Sequence, residues 1–287
     1  MNIKAVLKEA VAALEGRVLT NPRLDAEVLL SSCLKRDRTS LFTHSKDQLT
    51  EKELKEFRQL VERRKHGEPV AYITGKKEFW SLLFEVNKHV LIPRPETEIL
   101  VEEVLKICSR TGASSPRILE IGTGSGAISV ALASELKDAK IVATDVSLEA
   151  ITVALRNARN NGVEAQISFL SGNLFQPVSG VFNIIASNPP YISKDEYKHL
   201  PFEVRGFEPE SALLAGVEGV EIHGEIIKGG ASFLKAGGWL LMEIGARQKD
   251  QIENMLKESH LYDNITFKDD YAGIPRVAIA RRVLTGG

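Results

Sequence analysis

Two short stretches of the sequence combine residue types that can hold a ligand with a spacing that suits the task. The first is Glu120-Ile-Gly-Thr-Gly-Ser-Gly126, which begins at the end of the short, mostly apolar run Ile118–Ile121 and precedes a helical pattern. Glycines let the backbone turn tightly and let a ligand lie against it. In open α/β sheets, ligands bind beyond the carboxyl ends of strands, so this turn predicts a binding site.

An acidic residue supports that prediction. The next predicted strand ends at Asp145, which lies 19 residues past Gly126 and can accept hydrogen bonds from ribose hydroxyls. The G-x-G-x-G spacing differs from the dinucleotide fingerprint G-x-G-x-x-G. A nicotinamide cofactor and S-adenosylmethionine both fit these residues, and a structural turn with a chance Asp145 is the alternative. The candidate cofactor-binding residues here are Gly122, Thr123, Gly124, Ser125, Gly126 and Asp145.

The second stretch is Ser187-Asn-Pro-Pro-Tyr191, directly after the mostly apolar run Phe182–Ala186, which predicts a strand buried on both faces. The side-chain oxygen of Asn188 and the carbonyl of Pro189 can each accept one proton of an NH2 group on a planar system. Pro190 restricts Pro189 to an extended conformation, which can direct that carbonyl into the site. Tyr191 can stack on a planar substrate. The alternative is a proline-bounded turn without a chemical role.

The elements that must position these stretches fall into three parts. Residues 1–75 carry helical periodicity and predict a small helical domain, with helix starts at Asn21-Pro22 and at Thr50. Residues 76–92 have strand-like composition and predict a hairpin linker with Asn87 in its turn. Arg63-Arg64-Lys65 is expected to be a solvated helix end.

Residues 93–287 alternate between strand and helix patterns. This alternation predicts an α/β fold with a doubly wound, mostly parallel sheet, preceded by the helical domain. The predicted strands are seven: 118–121, 141–144, 167–170, 182–186, 239–244, 265–267 and 277–280.

Composition narrows the class of protein. The net charge is −1, and residues 1–75 hold 14 basic and 11 acidic residues. No part of the chain therefore has the strongly positive net charge of a protein that binds duplex nucleic acid. No apolar run approaches the length of a membrane helix. Two cysteines, Cys33 and Cys108, fit a reducing cytoplasm. The histidines show no metal-ligand spacing, so no metal is expected.

The two stretches together resemble the class I, S-adenosylmethionine-dependent amino-methyltransferases, which have a Rossmann-like domain. The rest of the chain resembles one branch of that group, the peptide chain release factor glutamine methyltransferases of the PrmC/HemK family. The resemblance covers nearly the whole chain and is carried by Asp25-Ala-Glu-Val-Leu-Leu30, Gly75 with Glu78-Phe79-Trp80, Ile92-Pro-Arg-Pro-Glu-Thr97, the N-P-P-Y, Arg205 with Phe207-Glu-Pro209, Gly237-Gly-Trp-Leu-Leu241, and the Asp270, Gly273, Arg276 spacing.

The resemblance implies a role for each matching residue. Gly122 to Gly126 would wrap the methionine part of S-adenosylmethionine, Asp145 would bind the ribose, and Asn173 and Leu174 would flank the adenine. Asn188 to Tyr191 would hold the glutamine amide, with Asn188, Pro189 and Tyr191 as the catalytic residues. Asn173 stands where the family usually has Asp.

The roles of Phe79, Trp80 and Arg94 stay open. They can belong to the site, or the two aromatic residues can form a hairpin core and Arg94 a surface ion pair. The hypothesis is therefore N5-methylation of a glutamine side chain, by resemblance that of the Gly-Gly-Gln loop in release factors, with S-adenosylhomocysteine as product and no direct contact with nucleic acid or membrane. Two rivals remain. One is methylation of adenine or guanine amino groups in nucleic acid. The other is a binding module that keeps a cofactor site without catalysis.

Overall fold

The structure, a computed structural model, describes residues 1–16, 21–112 and 114–284. The chain forms two compact units. Unit 1 comprises Met1–Lys76 together with Pro201–Phe207, and unit 2 comprises Lys77–Leu200 together with Glu208–Gly287.

Unit 1 is helical. Its helices, numbered in order along the whole chain, are α1 (Ile3–Leu14), α2 (Pro22–Leu34), α3 (Arg38–Thr43), α4 (Glu51–Lys65), α5 (Val70–Thr74) and, in the second segment, α10 (Phe202–Arg205). The predicted starts are present: Asn21 caps α2, and Thr50 and Glu53 form a capping box on α4. The apolar faces of α1, α2 and α4 form the core around Leu14, Leu29 and Phe57.

The end of α4 differs from its prediction. Arg64 is 3% exposed rather than solvated. Its guanidinium pairs with Asp25 at 2.7 Å and with Glu203 at 2.8 Å, so one buried cation holds the Pro201–Phe207 segment within unit 1. A burial this deep is tolerated because both carboxylates and the Glu68 carbonyl satisfy its donors.

Unit 2 opens with a hairpin whose turn is not where the sequence placed it. Strands β1 (Lys76–Phe79) and β2 (Leu82–Glu85) are joined at Trp80 and Ser81, and Asn87 lies beyond the hairpin. Both turn residues have positive φ, 53° and 56°, a conformation that usually requires glycine or asparagine. Asn87 does begin a turn, in which its carbonyl accepts from the Val90 N–H at 3.1 Å. The hairpin turn was placed wrongly because neither Trp80 nor Ser81 carries the usual sequence signal for it.

The main sheet of unit 2 has seven strands in the order β10-β11-β9-β6-β3-β4-β5. Their bounds are β3 (Arg117–Ile121), β4 (Lys140–Asp145), β5 (Ile167–Ser171), β6 (Phe182–Ser187), β9 (Leu234–Glu243), β10 (Tyr262–Asp269) and β11 (Pro275–Arg282). The five strands from β9 to β5 are parallel, and β11 and β10 close one edge antiparallel. The predicted α/β fold class is confirmed.

Helices cover both faces of this sheet. They are α6 (Thr97–Thr111), α7 (Ala127–Glu135), α8 (Leu148–Asn160), α11 (Glu221–Phe233) and α12 (Lys249–Ser259). The short helix α9 (Lys194–His199) packs instead against a small parallel pair formed by β7 (Ile192–Ser193) and β8 (Leu214–Gly216). Neighbouring residues of β3 point to opposite faces, Ile118 into the core under α6 to α8 and Leu119 into the core under α11 and α12.

Candidate functional site

The site lies where the chain switches direction across the sheet. The strands β3, β4 and β5 run outward on one side, and β6 returns to the other side of β3. Ile121 pairs with Ser187 in register, and the Ser187 hydroxyl donates to the Ile121 carbonyl at 2.8 Å. The glycine turn and the N-P-P-Y stretch therefore leave neighbouring strands side by side, at the crevice where open α/β sheets bind ligands.

Two glycines of the turn, Gly124 and Gly126, have different structural roles. A Cβ added at Gly124, where φ is +54°, would meet no protein atom within 4 Å, so this position faces open space. A Cβ added at Gly126 would lie 3.1 Å from the Cβ of Ala154 on α8. Gly126 thus permits close packing of two helices, whereas Gly124 leaves room for a ligand.

Asp145 connects β4 to the glycine turn. Its Oδ2 accepts from the backbone N–H of Gly124 at 2.8 Å, and its Oδ1 accepts from that of Ser147 at 2.9 Å. Burial raises the pKa of this carboxyl, and the backbone donors oppose that shift. A ligand hydroxyl can still approach, since a carboxylate has about four lone-pair sites.

A cavity of about 190 Å³ lies over this edge. Ten of the predicted site residues line it: Gly122, Thr123, Gly124, Ser125, Asp145, Asn173, Leu174, Asn188, Pro189 and Pro190. Two predicted residues, Gly126 and Tyr191, are not part of its wall.

Glu120 lines the cavity and is not among the site residues that the sequence predicts. It is 1% exposed, and its Oε2 accepts from the Thr123 hydroxyl at 2.7 Å and the Ser129 N–H at 3.1 Å. Its Oε1 has no hydrogen-bond partner among the described residues. Burial raises the pKa of Glu120 to about 7. Its position two residues before the first glycine was the signal available.

Asn188 is held by a chain of buried groups. Its Nδ2 donates to the Thr97 hydroxyl at 3.1 Å, and that hydroxyl donates to Glu243 Oε2 at 2.6 Å. Within the described residues no hydrogen bond engages Asn188 Oδ1, so the oxygen is the end of the amide left for a ligand. Neither Thr97 nor Glu243 was identified as a site residue from the sequence.

Tyr191 lies beside the cavity wall rather than in it. Its carbonyl accepts from Gln248 Nε2 at 2.8 Å, and its ring adjoins Gly245. Burial, with a further contribution from Glu243, raises the pKa of the Tyr191 hydroxyl, which therefore stays protonated.

Arg94 and the aromatic residues Phe79 and Trp80 lie in different environments. Arg94 lines the cavity and pairs at 2.6 Å with Glu208, which is 5% exposed and also accepts from the Ile92 N–H. Phe79 is buried in the core of unit 2, and Trp80 Nε1 donates to Glu135. The two aromatic residues belong to the hairpin core, and Arg94 belongs to the cavity wall.

The sheet order, the glycine turn after β3 and the acid at the end of β4 define a Rossmann-like fold, and the matching family model over this part of the chain makes it a class I methyltransferase. Two family models match the chain: the PrmC N-terminal domain over residues 5–75 and the methyltransferase small domain over residues 95–200. The chain belongs to the release factor glutamine methyltransferase family.

Individual relatives show how far the similarity extends. The release factor glutamine methyltransferase of Aliivibrio fischeri is 39% identical over 99% of each chain. That of Yersinia pestis is 40% identical over 91% of this chain and 92% of its own. A solved structure of the T. thermophilus 16S rRNA N2 G1207 methyltransferase with AdoMet and guanosine, 15% identical, shares the fold with a TM-score of 0.53 over 72% of this chain and 49% of that one. No helix in the described part of the chain is long and apolar enough to cross a membrane.

Proposed function

We propose that the protein transfers a methyl group from S-adenosylmethionine to the side-chain amide nitrogen, N5, of the glutamine in the Gly-Gly-Gln motif of peptide chain release factors. The observation that carries this proposal is Asn188, whose amide nitrogen is committed to Thr97 and whose oxygen is left for a substrate NH2 group. The names of the relatives support the substrate class. Release factors act in translation, so we place the reaction in the cytoplasm.

The residues present fit S-adenosylmethionine. Gly124 leaves open space at the turn, and the free Oε1 of Glu120 offers an acceptor in the same wall. We assign Gly122 to Gly126 to the methionine part and Asp145 to the ribose. When bound, the cofactor supplies a methyl group activated by its sulfonium.

The adenine is assigned to the loop after β5. Asn173 and Leu174 both line the cavity there. Asn173 replaces the aspartate that is usual in the family, and its amide oxygen keeps the ability to accept from the adenine amino group. An uncharged acceptor forms a weaker hydrogen bond than a carboxylate, so adenine binding should persist at reduced strength.

The protein's task in the chemistry is alignment. An amide nitrogen is a poor nucleophile because its lone pair is delocalised into the carbonyl. Asn188 Oδ1 and the Pro189 carbonyl would each accept one N–H of the substrate, which turns the nitrogen's out-of-plane lobe toward the methyl donor. The same hydrogen bonds favour the positive charge that develops on nitrogen during transfer. Pro190 holds this geometry, and Tyr191, next to the wall, would provide a stacking surface.

Unit 1 is proposed to dock the protein substrate. The sequence predicts a docking domain at 1–75, a hairpin linker at 76–92 and a catalytic domain at 93–287. Unit 1 has a hydrophobic core of its own, and its sequence balance is slightly positive. The hairpin residues Phe79 and Phe84 pack in the core of unit 2, so the catalytic part includes the hairpin.

Mass spectrometry of a purified release factor, after incubation with the protein and S-adenosylmethionine, tests the function. We expect one methyl group on the Gly-Gly-Gln glutamine. Asn188→Ala should lower the rate by about 10²-fold or more, because alignment and a transition-state hydrogen bond are both lost. A release factor in which that glutamine is replaced by alanine is the control and should stay unmodified.

The rivals predict other outcomes. Methylation of an RNA or DNA amino group, with the release factor untouched, would favour a nucleic-acid enzyme. Cofactor binding without methyl transfer to any of these acceptors would favour a binding module. A near-wild-type rate in Asn188→Ala would show that N-P-P-Y is a structural turn.

A further inference from the structure

The amide of Asn188 can work in only one orientation. A substrate NH2 group needs an acceptor, so the Oδ1 end must face the cavity and the Nδ2 end must face away. An amide side chain has no intrinsic preference between these orientations, since a rotation of about 180° about its terminal torsion exchanges them. Something outside Asn188 must therefore select the productive one.

Thr97 and Glu243 provide that selection. The Thr97 hydroxyl has one hydrogen, and it is donated to Glu243 Oε2 at 2.6 Å. The hydroxyl oxygen can then only accept from Asn188, and it does so from Nδ2 at 3.1 Å. Thr97 and Glu243 are 4% and 2% exposed, so water does not readily substitute for either of them.

The chain of donors reverses if Glu243 carries a proton. A protonated carboxyl can donate to the Thr97 oxygen, which frees the Thr97 hydrogen to seek an acceptor. Asn188 Oδ1 is the acceptor within reach once the amide rotates. Nδ2 would then face the cavity, and two donors, Nδ2 and the substrate NH2, would oppose each other.

We propose that Thr97 and Glu243 are positioning residues that choose which end of the Asn188 amide faces the substrate, so that the ionisation of Glu243 switches methyl transfer on. This inference rests on the proposed function of Asn188. It adds two residues that act through Asn188, of which Thr97 also lines the cavity, and it gives the reaction a pH dependence that no group on the substrate amide explains.

The surroundings of Glu243 determine where the switch operates. Burial is the largest influence and raises the pKa of Glu243 to about 7; Thr97 and the cations Arg276 and Arg94 lower it, and Glu96 raises it. The neighbouring His223 donates from Nε2 to the Glu243 backbone carbonyl at 2.8 Å, and burial lowers its own pKa to about 4, so it is neutral in this range.

Tyr191 also faces Glu243 and stays protonated, as described above. Arg276 is held in place by Asp270 at 2.9 Å, which keeps one cation beside the carboxyl. Below pH about 7 Glu243 is protonated, the amide turns and the rate falls, whereas above it the carboxylate accepts from Thr97 and the rate is full.

The test is the pH profile of kcat on an intact release factor at saturating S-adenosylmethionine, with the cofactor dissociation constant measured in parallel. In the wild type we expect kcat to fall as the pH decreases through about 7. Glu243→Gln should flatten this acid limb and lower the plateau. Thr97→Val should lower kcat by about 10-fold and flatten the limb, because the amide loses its partner. Thr97→Ser, which keeps the hydroxyl, should restore both.

The controls separate positioning from damage. Glu103→Gln removes another largely buried carboxyl, on α6, where Glu103 pairs with Lys106, and should leave the acid limb in place. Because Thr97 lines the cavity, kcat is compared at cofactor saturation in each Thr97 variant, and a cooperative thermal transition reports that the variants are folded. A wild-type kcat in Thr97→Val, or an acid limb that survives in Glu243→Gln, overturns the proposal, and its disappearance in Glu120→Gln would assign the limb to Glu120 instead. A wild type that does not methylate release factors would instead refute the proposed function.

Discussion

Asp145 Oδ2 accepts a hydrogen bond from the backbone N–H of Gly124 at 2.8 Å, so the last residue of β4 holds the turn that follows β3. One side chain thus shapes the turn and presents its remaining lone pairs to the cavity. Removing it should affect both the ligand and the loop that cradles it.

Asp145→Ala should weaken S-adenosylmethionine binding by at least about 10-fold, since a hydrogen bond to a charged group contributes about 1.5–3 kcal/mol. Isothermal titration calorimetry measures the change. Glu149→Ala is the matched control, because Glu149 is an exposed carboxylate that does not line the cavity. Equal affinities in wild type and Asp145→Ala would remove Asp145 from the cofactor site.

Gly124→Ala should reduce cofactor affinity, and Gly124→Val should abolish it, because the added atoms enter the open space at the turn. Gly162→Ala provides the control: Gly162 has a φ of +71° and nothing within 4 Å of an added Cβ, and it is not part of the cavity wall. Both alanine variants should lose about 1–2 kcal/mol of unfolding free energy from backbone strain. If they lose cofactor affinity equally, strain and not the cavity explains the effect.

Tyr191→Phe should be mild and Tyr191→Ala severe in kcat, because the ring, and not the hydroxyl, is proposed to stack on the substrate. Cofactor affinity should change little in either variant, since Tyr191 does not line the cavity. Steady-state kinetics on an intact release factor measures the ranking. A severe loss in Tyr191→Phe would assign the chemistry to the hydroxyl.

The wild type should lose stability as the pH rises, because Glu120 ionises in a buried position, and Glu120→Gln should not show this loss. The pKa of Glu120 is about 7 in the folded protein against a usual value of 4.5, so the folded state binds more protons between those values. Stability from this group is therefore full below 4.5 and is lost as the pH rises through about 7.

Thermal unfolding at acidic and at slightly alkaline pH measures this effect. From the acidic to the alkaline pH, the Tm of the wild type should fall by more than the Tm of Glu120→Gln. Glu85→Gln, at a half-exposed carboxylate outside the cavity wall, should follow the wild type. Equal changes of Tm with pH in the wild type and Glu120→Gln would contradict a raised pKa at Glu120.

A protein that begins at Lys77 should keep cofactor affinity and lose methylation of an intact release factor. It retains the hairpin residues Phe79 and Phe84, which belong to the core of unit 2. A cooperative thermal transition together with calorimetry would show that it is folded and binds S-adenosylmethionine. Full-rate methylation of the intact release factor by this shortened protein would rule out a docking role for unit 1.

Local signals explain why much of the fold could be predicted. The Asn21-Pro22 start and the Thr50–Glu53 capping box are interactions between residues a few positions apart, so their chemistry is visible in the sequence. The hairpin turn shows the limit. Trp80 and Ser81 adopt left-handed conformations that neither residue prefers, and the burial of Phe79 and Phe84 in the unit 2 core imposes them.

The sequence by itself determined the class of site: a glycine turn, an acid after the next strand and an N-P-P-Y stretch are contiguous patterns whose chemistry depends on residue type. Only the tertiary structure decided that Gly126 serves helix packing, that Glu120 lines the cavity and that Tyr191 does not. It also decided how Asn188 is oriented. Thr97 is 91 residues from Asn188 and 146 from Glu243, and hydrogen bonds across such separations leave no pattern along the chain, because they depend on which strand and helix ends the sheet brings together.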